Sequence, residues 1–449
     1  MATGTEIGAQ PLITDLKNLL LGLNQNPYPF VPNPPNCKRR AAVAVIIRIR
    51  PTFPDVPSYI TPSSEASFQE NLDAFFEQPW VQRGEPELAL IKRAARKGDR
   101  WTSHIALPGG KRDPEDESDR ATSIREAAEE IGLDLTADHS LYAGNLPERV
   151  VTTESGKIPL MVLCPFVFLL TRFDIPPLQL QPTEVGSTHW IPIRALLSSS
   201  LRTYERADVV DRIYHKGGLV ARGILRLFFG QFLYDAIRLM PSESIYSRIP
   251  SDFPAEHVRL SSRANIVNGV KELVFGDHAG SSNPERPLLL WGLTYGMICD
   301  LLDLLPSRDG YKSWKWPTLS SPDVRFFIWL VSRRFRNERM RTLPTAGVHG
   351  KSGPPYMTKE GLVTKVEDEV QPHRVNEARI DGMGITALNS RVTPHSAVGH
   401  MFDGYNVLLF RGVMVAIAVR TGLSMAALIL FLRRYPAWRA WLKFPFRRN

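Results

Sequence analysis

Between Pro108 and Leu133 the chain reads PGGKRDPEDESDRATSIREAAEEIGL, and no other stretch constrains its fold and chemistry as much. Ala121, Ile124, Ala128 and Ile131 recur at helical spacing, Ser118 or Asp119 can cap the start, and Gly132 can close the end, which predicts a helix of about three turns. On it Glu126, Glu129 and Glu130 fall at i, i+3 and i+4, so their carboxylates share one face. Acids crowded in this way repel one another unless a cation neutralises them. Hard oxygen ligands at this density suit Mg2+ or Mn2+, with positions left for substrate phosphates. Upstream, the adjacent Gly109 and Gly110 predict a tight turn and a close approach of backbone to ligand. The Gly109 carbonyl can then join the metal shell, and Gly110 can lie against substrate. Arg125 follows two loop acids, Asp116 and Glu117, and can tie the loop to the helix through a charge-assisted pair. A merely solvated helix face explains the glutamates but not the turn, the loop acid, the arginine and the terminal glycine in register.

These residues resemble the Nudix box, which runs from a glycine through a loop acid to Arg-Glu, an aliphatic residue, any residue, Glu-Glu, any residue, Gly and an aliphatic. Arg125-Glu126 and Glu129-Glu130 match it. The departure is in the loop: five residues separate Gly110 from Asp116, but counting back seven residues from Arg125 reaches Glu117, so either acid can fill the loop position. Coenzyme A pyrophosphatases of the family often share this spacing. The resemblance implies an α/β chain with the Nudix α/β/α sandwich built around mixed β-sheets. It also implies a metal set of Gly109, Glu126, Glu129 and Glu130, with Glu129 or a loop acid taking a proton from water and Arg125 in support.

The resemblance continues outside the box. LALIKRAARKGDRWTSHIALPGG at 88–110 is similar to the upstream signature of the coenzyme A subfamily and makes Arg93 a candidate substrate contact, although Leu107 stands where that signature has phenylalanine and Ser103 where it has glycine. TTESGKIPLMVLCPFVF at 152–168 and TEVGSTHWIPIRALL at 183–197 resemble the loops and strands that follow the box helix, LVFGD at 273–277 and PLLLWGLTYGMICDLLDLL at 287–305 the closing strands and helix. Glu184 is the first candidate for a further metal ligand or general base, and Glu154 the second. The implied reaction is hydrolysis of the pyrophosphate bond in coenzyme A or an acyl derivative. ADP-ribose, a dinucleotide or a nucleotide sugar stays open as substrate, and a non-catalytic, membrane-tethered binding protein is the reading of another class.

Strand-like runs at 41–49, 87–92, 141–146, 160–171 and 189–193 place the catalytic domain at about residues 41–306. Before it, residues 1–40 read as a partly ordered arm with a short apolar helix at Leu12 to Leu23. Within it, an insertion near 199–262 reads as helical at Gly218 to Met240, packed on the domain or lying on a membrane surface. Residues 307–400 read as a linker with one short helix at Val324 to Arg341, and 401–449 as an apolar, basic tail and candidate membrane anchor. Eight of the nine net positive charges fall in residues 407–449, which contain no acid, so the basicity does not point to nucleic acid. Gly412 to Leu432 has the length of a bilayer span, with Arg420 near its middle. Three widely separated cysteines fit free thiols in an intracellular compartment, with mitochondrion and peroxisome both open.

Overall fold

The computed structural model describes residues 9–35, 37–55, 57, 62–94, 103–152, 158–175, 178–208, 229–239, 288–305, 314–342, 402 and 404–434. In chain order, helix α1 (Ala9–Gln25) precedes strand β1 (Arg40–Arg50), helices α2 (Phe68–Phe76) and α3 (Pro79–Gln82), and strands β2 (Glu85–Arg93), β3 (Ile105–Ala106) and β4 (Gly109–Lys111). Helix α4 (Asp119–Ile131) follows, then β5 (Ser140–Asn145), β6 (Arg149–Thr152), β7 (Pro159–Leu170), β8 (Val185–Pro192) and α5 (Ile193–Leu197). The rest comprises β9 (Arg202–Asp208), β10 (Gln231–Leu239), β11 (Leu288–Trp291), α6 (Gly292–Asp303), β12 (Thr318–Leu319), α7 (Pro322–Thr342) and α8 (Tyr405–Arg434).

Strands β1 to β8 form one mixed sheet in which β1 runs parallel to β7 and antiparallel to β2 and β4. Because alternate strand residues face opposite sides, β1 feeds two cores. Val43, Val45, Ile47 and Ile49 face a cluster completed by α1, α2 and α3, whereas Ala42, Ala44 and Ile46 face a second cluster under α4. The result is the expected α/β/α layering, with the small residues of β1 on the α4 side letting that helix sit close. The amino-terminal segment is more than an arm: α1 buries Leu12, Ile13, Leu16, Leu19, Leu20 and Leu23 in the first cluster. Its leucines recur at helical spacing and have an apolar sheet face to cover, so the helix belongs to the domain.

The helical insertion is corrected in its second half. Residues 231–239 are a strand, β10, central to a second sheet in which it pairs antiparallel with β9, β11 and β12. Residues 218–228 of that expected helix, and LVFGD at 273–277, lie outside the described residues. The strand is buried on both faces, so it carries no period-two signal that would separate it from a helix. Arg149 on β6 ties the first sheet to α6, donating to the Gly296 carbonyl at 3.0 Å and pairing with Asp300. The closing strand and helix read at 287–305 are found as β11 and α6. The short linker helix is a 21-residue one, α7.

Candidate active site

The site rests on β4, α4 and the loop before β8. The box glycines do not make the expected turn: they open β4, with Gly109 opposite Val43 and Gly110 opposite Ala42 on β1. Gly109 has φ of 149°, and a Cβ there would come within 2.3 Å of the Ala42 carbonyl, so only glycine fits. Its N–H donates to Glu130 Oε2 at 2.8 Å. At Gly110 a Cβ would lie 2.5 Å from the Glu126 carboxylate, which puts that group directly over the glycine backbone.

Helix α4 begins as its sequence suggests, with Ser118 accepting from the Ala121 N–H at 3.1 Å, and ends at Gly132 with φ of 69°. Its orientation differs from the apolar pattern. Ser123, Ala127, Glu130 and Ile131 are buried, whereas Ala128 is exposed. The helix therefore turns its glutamates unequally: Glu130 is buried, Glu126 half-buried, and Glu129 lies at the rim with its side chain 53% exposed.

Arg125 fans across these acids. It donates to both Asp116 oxygens at 3.0 Å, to Glu129 at 2.9 Å, to Glu126 at 3.1 Å and to the Lys111 carbonyl at 3.2 Å. The loop acid is thereby identified: Asp116, not Glu117, is clamped to the helix, and it also accepts from the Thr122 hydroxyl and the Asp113 N–H. The Arg125 bonds hold Asp116 down to about 2.

Glu184 joins the cluster through its loop. The Gln179 and Gln181 N–H groups donate to the Ile131 and Glu130 carbonyls, satisfying the carboxy-terminal end of α4 and hooking the loop to it. The Glu184 carbonyl in turn accepts from the Ala94 N–H at 2.8 Å. Burial pushes Glu130 up to about 7, with the charges of Glu126 and Glu184 adding to the rise and that of Arg93 opposing it. Burial also raises Glu126, with the charges of Glu129 and Glu184 adding to the rise and Arg125 opposing it. The charges of Glu126, Glu184 and Arg93 thus all act on Glu130, although they come from separate segments. Glu154 lies outside the described residues.

The donor set fits a hard divalent cation: carboxylates in mutual repulsion, partly desolvated, beside a closely approached backbone. A second group meets the distance requirement of a metal site but not its charge requirement. Asp119, Glu148 and Cys164 hold ligand atoms within 4.8 Å of one another. Arg40 occupies that cluster, donating to Asp119 and Glu148 at 2.7 Å each and to Cys164 Sγ at 3.1 Å. Burial keeps the Cys164 thiol protonated, far above its usual range, which removes it as a ligand. Sequence inspection did not find this ion cluster, because Arg40 stands just before an apolar run and its partners lie 79 and 108 residues away.

A family model described as the NUDIX domain matches residues 80–212. An uncharacterized protein of Schizosaccharomyces pombe, C14C4.10c, is 34% identical over 278 residues, covering 60% of this chain and 74% of that protein. The Nudix hydrolase NudL of Yersinia pestis is 30% identical over 159 residues, covering 35% of this chain and 69% of NudL. Among solved structures, an Ap4A hydrolase of C. elegans is 16% identical with a TM-score of 0.21, covering 42% of this chain and 98% of that one. The Nudix hydrolase RenU of M. smegmatis is 16% identical with a TM-score of 0.22, covering 42% and 85%.

Proposed function

Because the chain belongs to the Nudix hydrolase family and is a pyrophosphohydrolase, we propose that it splits the pyrophosphate bond of coenzyme A or an acyl-coenzyme A. The products are a phosphopantetheine and adenosine 3′,5′-bisphosphate. The observation that carries the hydrolytic chemistry is the placement of Glu126 and Glu130 against the Gly109-Gly110 backbone, with the charges of Glu184 and Arg93 acting on Glu130. The coenzyme A moiety is supported by the likeness of residues 88–110 to that subfamily's signature.

Glu126, Glu130 and Glu184, with the Gly109 carbonyl, would hold Mg2+ or Mn2+. When bound, such an ion neutralises phosphoryl charge and makes a water more acidic. The chain's own residues do the rest. Gly109 fixes Glu130 by its N–H, so the carboxylate enters the reaction already oriented. Arg93 offers positive charge to a phosphate, and Gly110, having no side chain, lets the Glu126 carboxylate lie directly against the backbone. The attacking water loses its proton to a carboxylate as its oxygen bonds to phosphorus, and the phosphorus–bridging oxygen bond breaks to release the second phosphate. Glu184 is our assignment for that acceptor, because its loop is bonded to the end of α4 and its charge acts on the other two acids. Glu129, engaged by Arg125 at the rim, is the competing one.

The test is hydrolysis by the full chain, with Mg2+ or Mn2+, of coenzyme A, acyl-coenzyme A, ADP-ribose, dinucleotides and nucleotide sugars. The full chain is needed because Leu409, Val413 and Ala416 of α8 lie in the core. Selective release of adenosine 3′,5′-bisphosphate is the expected result. Preference for any other member of the panel rejects the coenzyme A assignment and leaves the pyrophosphohydrolase intact.

A further inference from the structure

Helices α7 and α8 form an antiparallel hairpin. Three contacts set its register: Phe335 lies against Gly404, Ile328 against Gly412, and Asp323 pairs with Arg420 at 2.5 and 2.6 Å. At Gly412 a Cβ would fall 2.6 Å from the Ile328 backbone, so the crossing depends on a missing side chain. The first half of α8 is docked, with the Tyr405 hydroxyl donating to the Pro317 carbonyl at 2.8 Å and Val413 and Ala416 buried.

Beyond Arg420 the helix leaves the body. Residues 421–431 are all exposed, and they include Leu423, Met425, Leu428, Ile429, Leu430 and Phe431. Among the described residues, thirteen of the eighteen exposed large hydrophobics lie on α7 and α8. A contiguous apolar surface of this kind marks an interaction site. A helix apolar around its whole circumference belongs in a protein core or in lipid.

We propose that the α7–α8 hairpin seats the enzyme in one leaflet of a bilayer carrying anionic headgroups, without crossing it. Charge selects the occupant. Residues 407–449 carry eight basic residues and no acid, and α7 carries six arginines against two acids. A second copy of this surface would bring those like charges together, whereas anionic phosphates complement them. Length selects the depth. Arg420 and Arg433 bracket the free segment, about 20 Å apart along the helix, against a hydrocarbon core of about 30 Å. With Arg420 held by Asp323, the segment lies along one headgroup layer, both charged ends in it and the apolar side chains reaching into that leaflet. This inference does not rest on the proposed substrate.

The experiment is flotation of the full chain with vesicles of phosphatidylcholine and phosphatidylserine at 7:3, and with phosphatidylcholine alone. The protein should float with the mixed vesicles and weakly or not at all with the neutral ones. A Leu423→Glu/Leu428→Glu/Phe431→Glu variant should lose at least roughly tenfold in the floated fraction, given the cost of charge in lipid. Its hydrolysis rate on soluble substrate should stay unchanged, which shows that it folds. In an Arg434→Cys variant, a membrane-impermeant maleimide added outside intact vesicles should label the new thiol, Cys37, Cys164 and Cys299 being buried. Equal flotation of the triple variant, or no flotation of the wild type, overturns the lipid assignment. A lipid-independent dimer abolished by the same three changes replaces it with a second copy. Labelling that appears only after detergent overturns the one-leaflet geometry.

Discussion

Helix α4 carries two arginine–carboxylate clusters, one on each side, and they solve opposite problems. Beneath it, Arg40 closes a buried set of Asp119, Glu148 and Cys164, with the Val31 carbonyl and the Asn33 side chain taking further guanidinium bonds. Above it, Arg125 makes two bonds to Asp116 but only one each to Glu129 and Glu126, and Glu130 receives its bond from backbone. Among the described residues, the tightest collection of potential metal ligands is therefore the one matched by two arginines, Arg40 and Arg112, whereas the looser collection sets four acids against Arg125. Proximity of ligand atoms does not make a metal site; unbalanced charge beside solvent does.

Substitutions can break this contrast. Arg40→Ala should strand the buried Glu148, leave Asp119 only its bond from Arg112, and cost about 3–5 kcal/mol, enough to abolish soluble expression or lower the denaturant midpoint sharply. Glu130→Gln should do the reverse, lowering hydrolysis roughly a thousandfold while leaving thermal stability equal or higher, since a desolvated charge is removed. Both effects are read from one preparation by turnover and by thermal melting. Glu130→Gln with wild-type turnover would sink the assigned site.

Adding Mg2+ or Mn2+ sharpens the distinction. At a hundred times the dissociation constant the ion should stabilise the wild type by about 2.7 kcal/mol, and chelation should remove that gain. The rise in melting temperature should shrink in Glu126→Gln and persist in Cys164→Ser, whose thiol lies in the closed cluster. A rise that vanishes in Cys164→Ser would move the metal beneath the helix. Between the proton-acceptor candidates, Glu184→Gln should cost roughly 10²–10⁴-fold in turnover and Glu129→Gln about tenfold or less, the order of which a kinetic comparison reveals.

The smallest expected effect is in pH. Asp116, at about 2 when folded against an ordinary value near 3.8, binds fewer protons in the native state. Its contribution is present above pH 4 and is lost as pH falls from about 4 to 2. Asp235 in the second sheet is pushed by burial up to about 6. The native state then binds more protons, and stability declines as pH rises from about 4 to 6. Asp235→Asn should make that upper limb shallower, the buried Glu130 still contributing to it, and leave the acid limb unchanged in melts from pH 2 to 7.

How much of this was legible in the sequence follows from how local each signal is. The strands at 40–50, 85–93 and 159–170, the Ser118 and Gly132 ends of α4, and the charged pairs of the box are written in neighbouring residues. The loop acid was not, because choosing Asp116 over Glu117 depends on how Arg125 folds back in three dimensions. Nor was the rotation that buries Glu130 and exposes Ala128: small Ser123 and Ala127 seat the helix, and small residues carry little weight in a hydrophobic pattern. In β10, FLYDAIRL mixes apolar residues with Asp235 and Arg238, which fits one face of a helix as well as a strand. Its identity comes from β9, β11 and β12, with partners as far off as Leu319.

The docking of α8 also has a meaning in time. A ribosome makes the chain from its amino terminus, so more than four hundred residues exist before Leu409, Val413 and Ala416 can cover their part of the core. Until then the Trp314–Trp316 corner lacks the ring of Tyr405, which ends 4.8 Å from Trp316. An apolar surface left open for that long is a natural place for a nascent chain to meet chaperones, or to stick to its neighbours when none arrive.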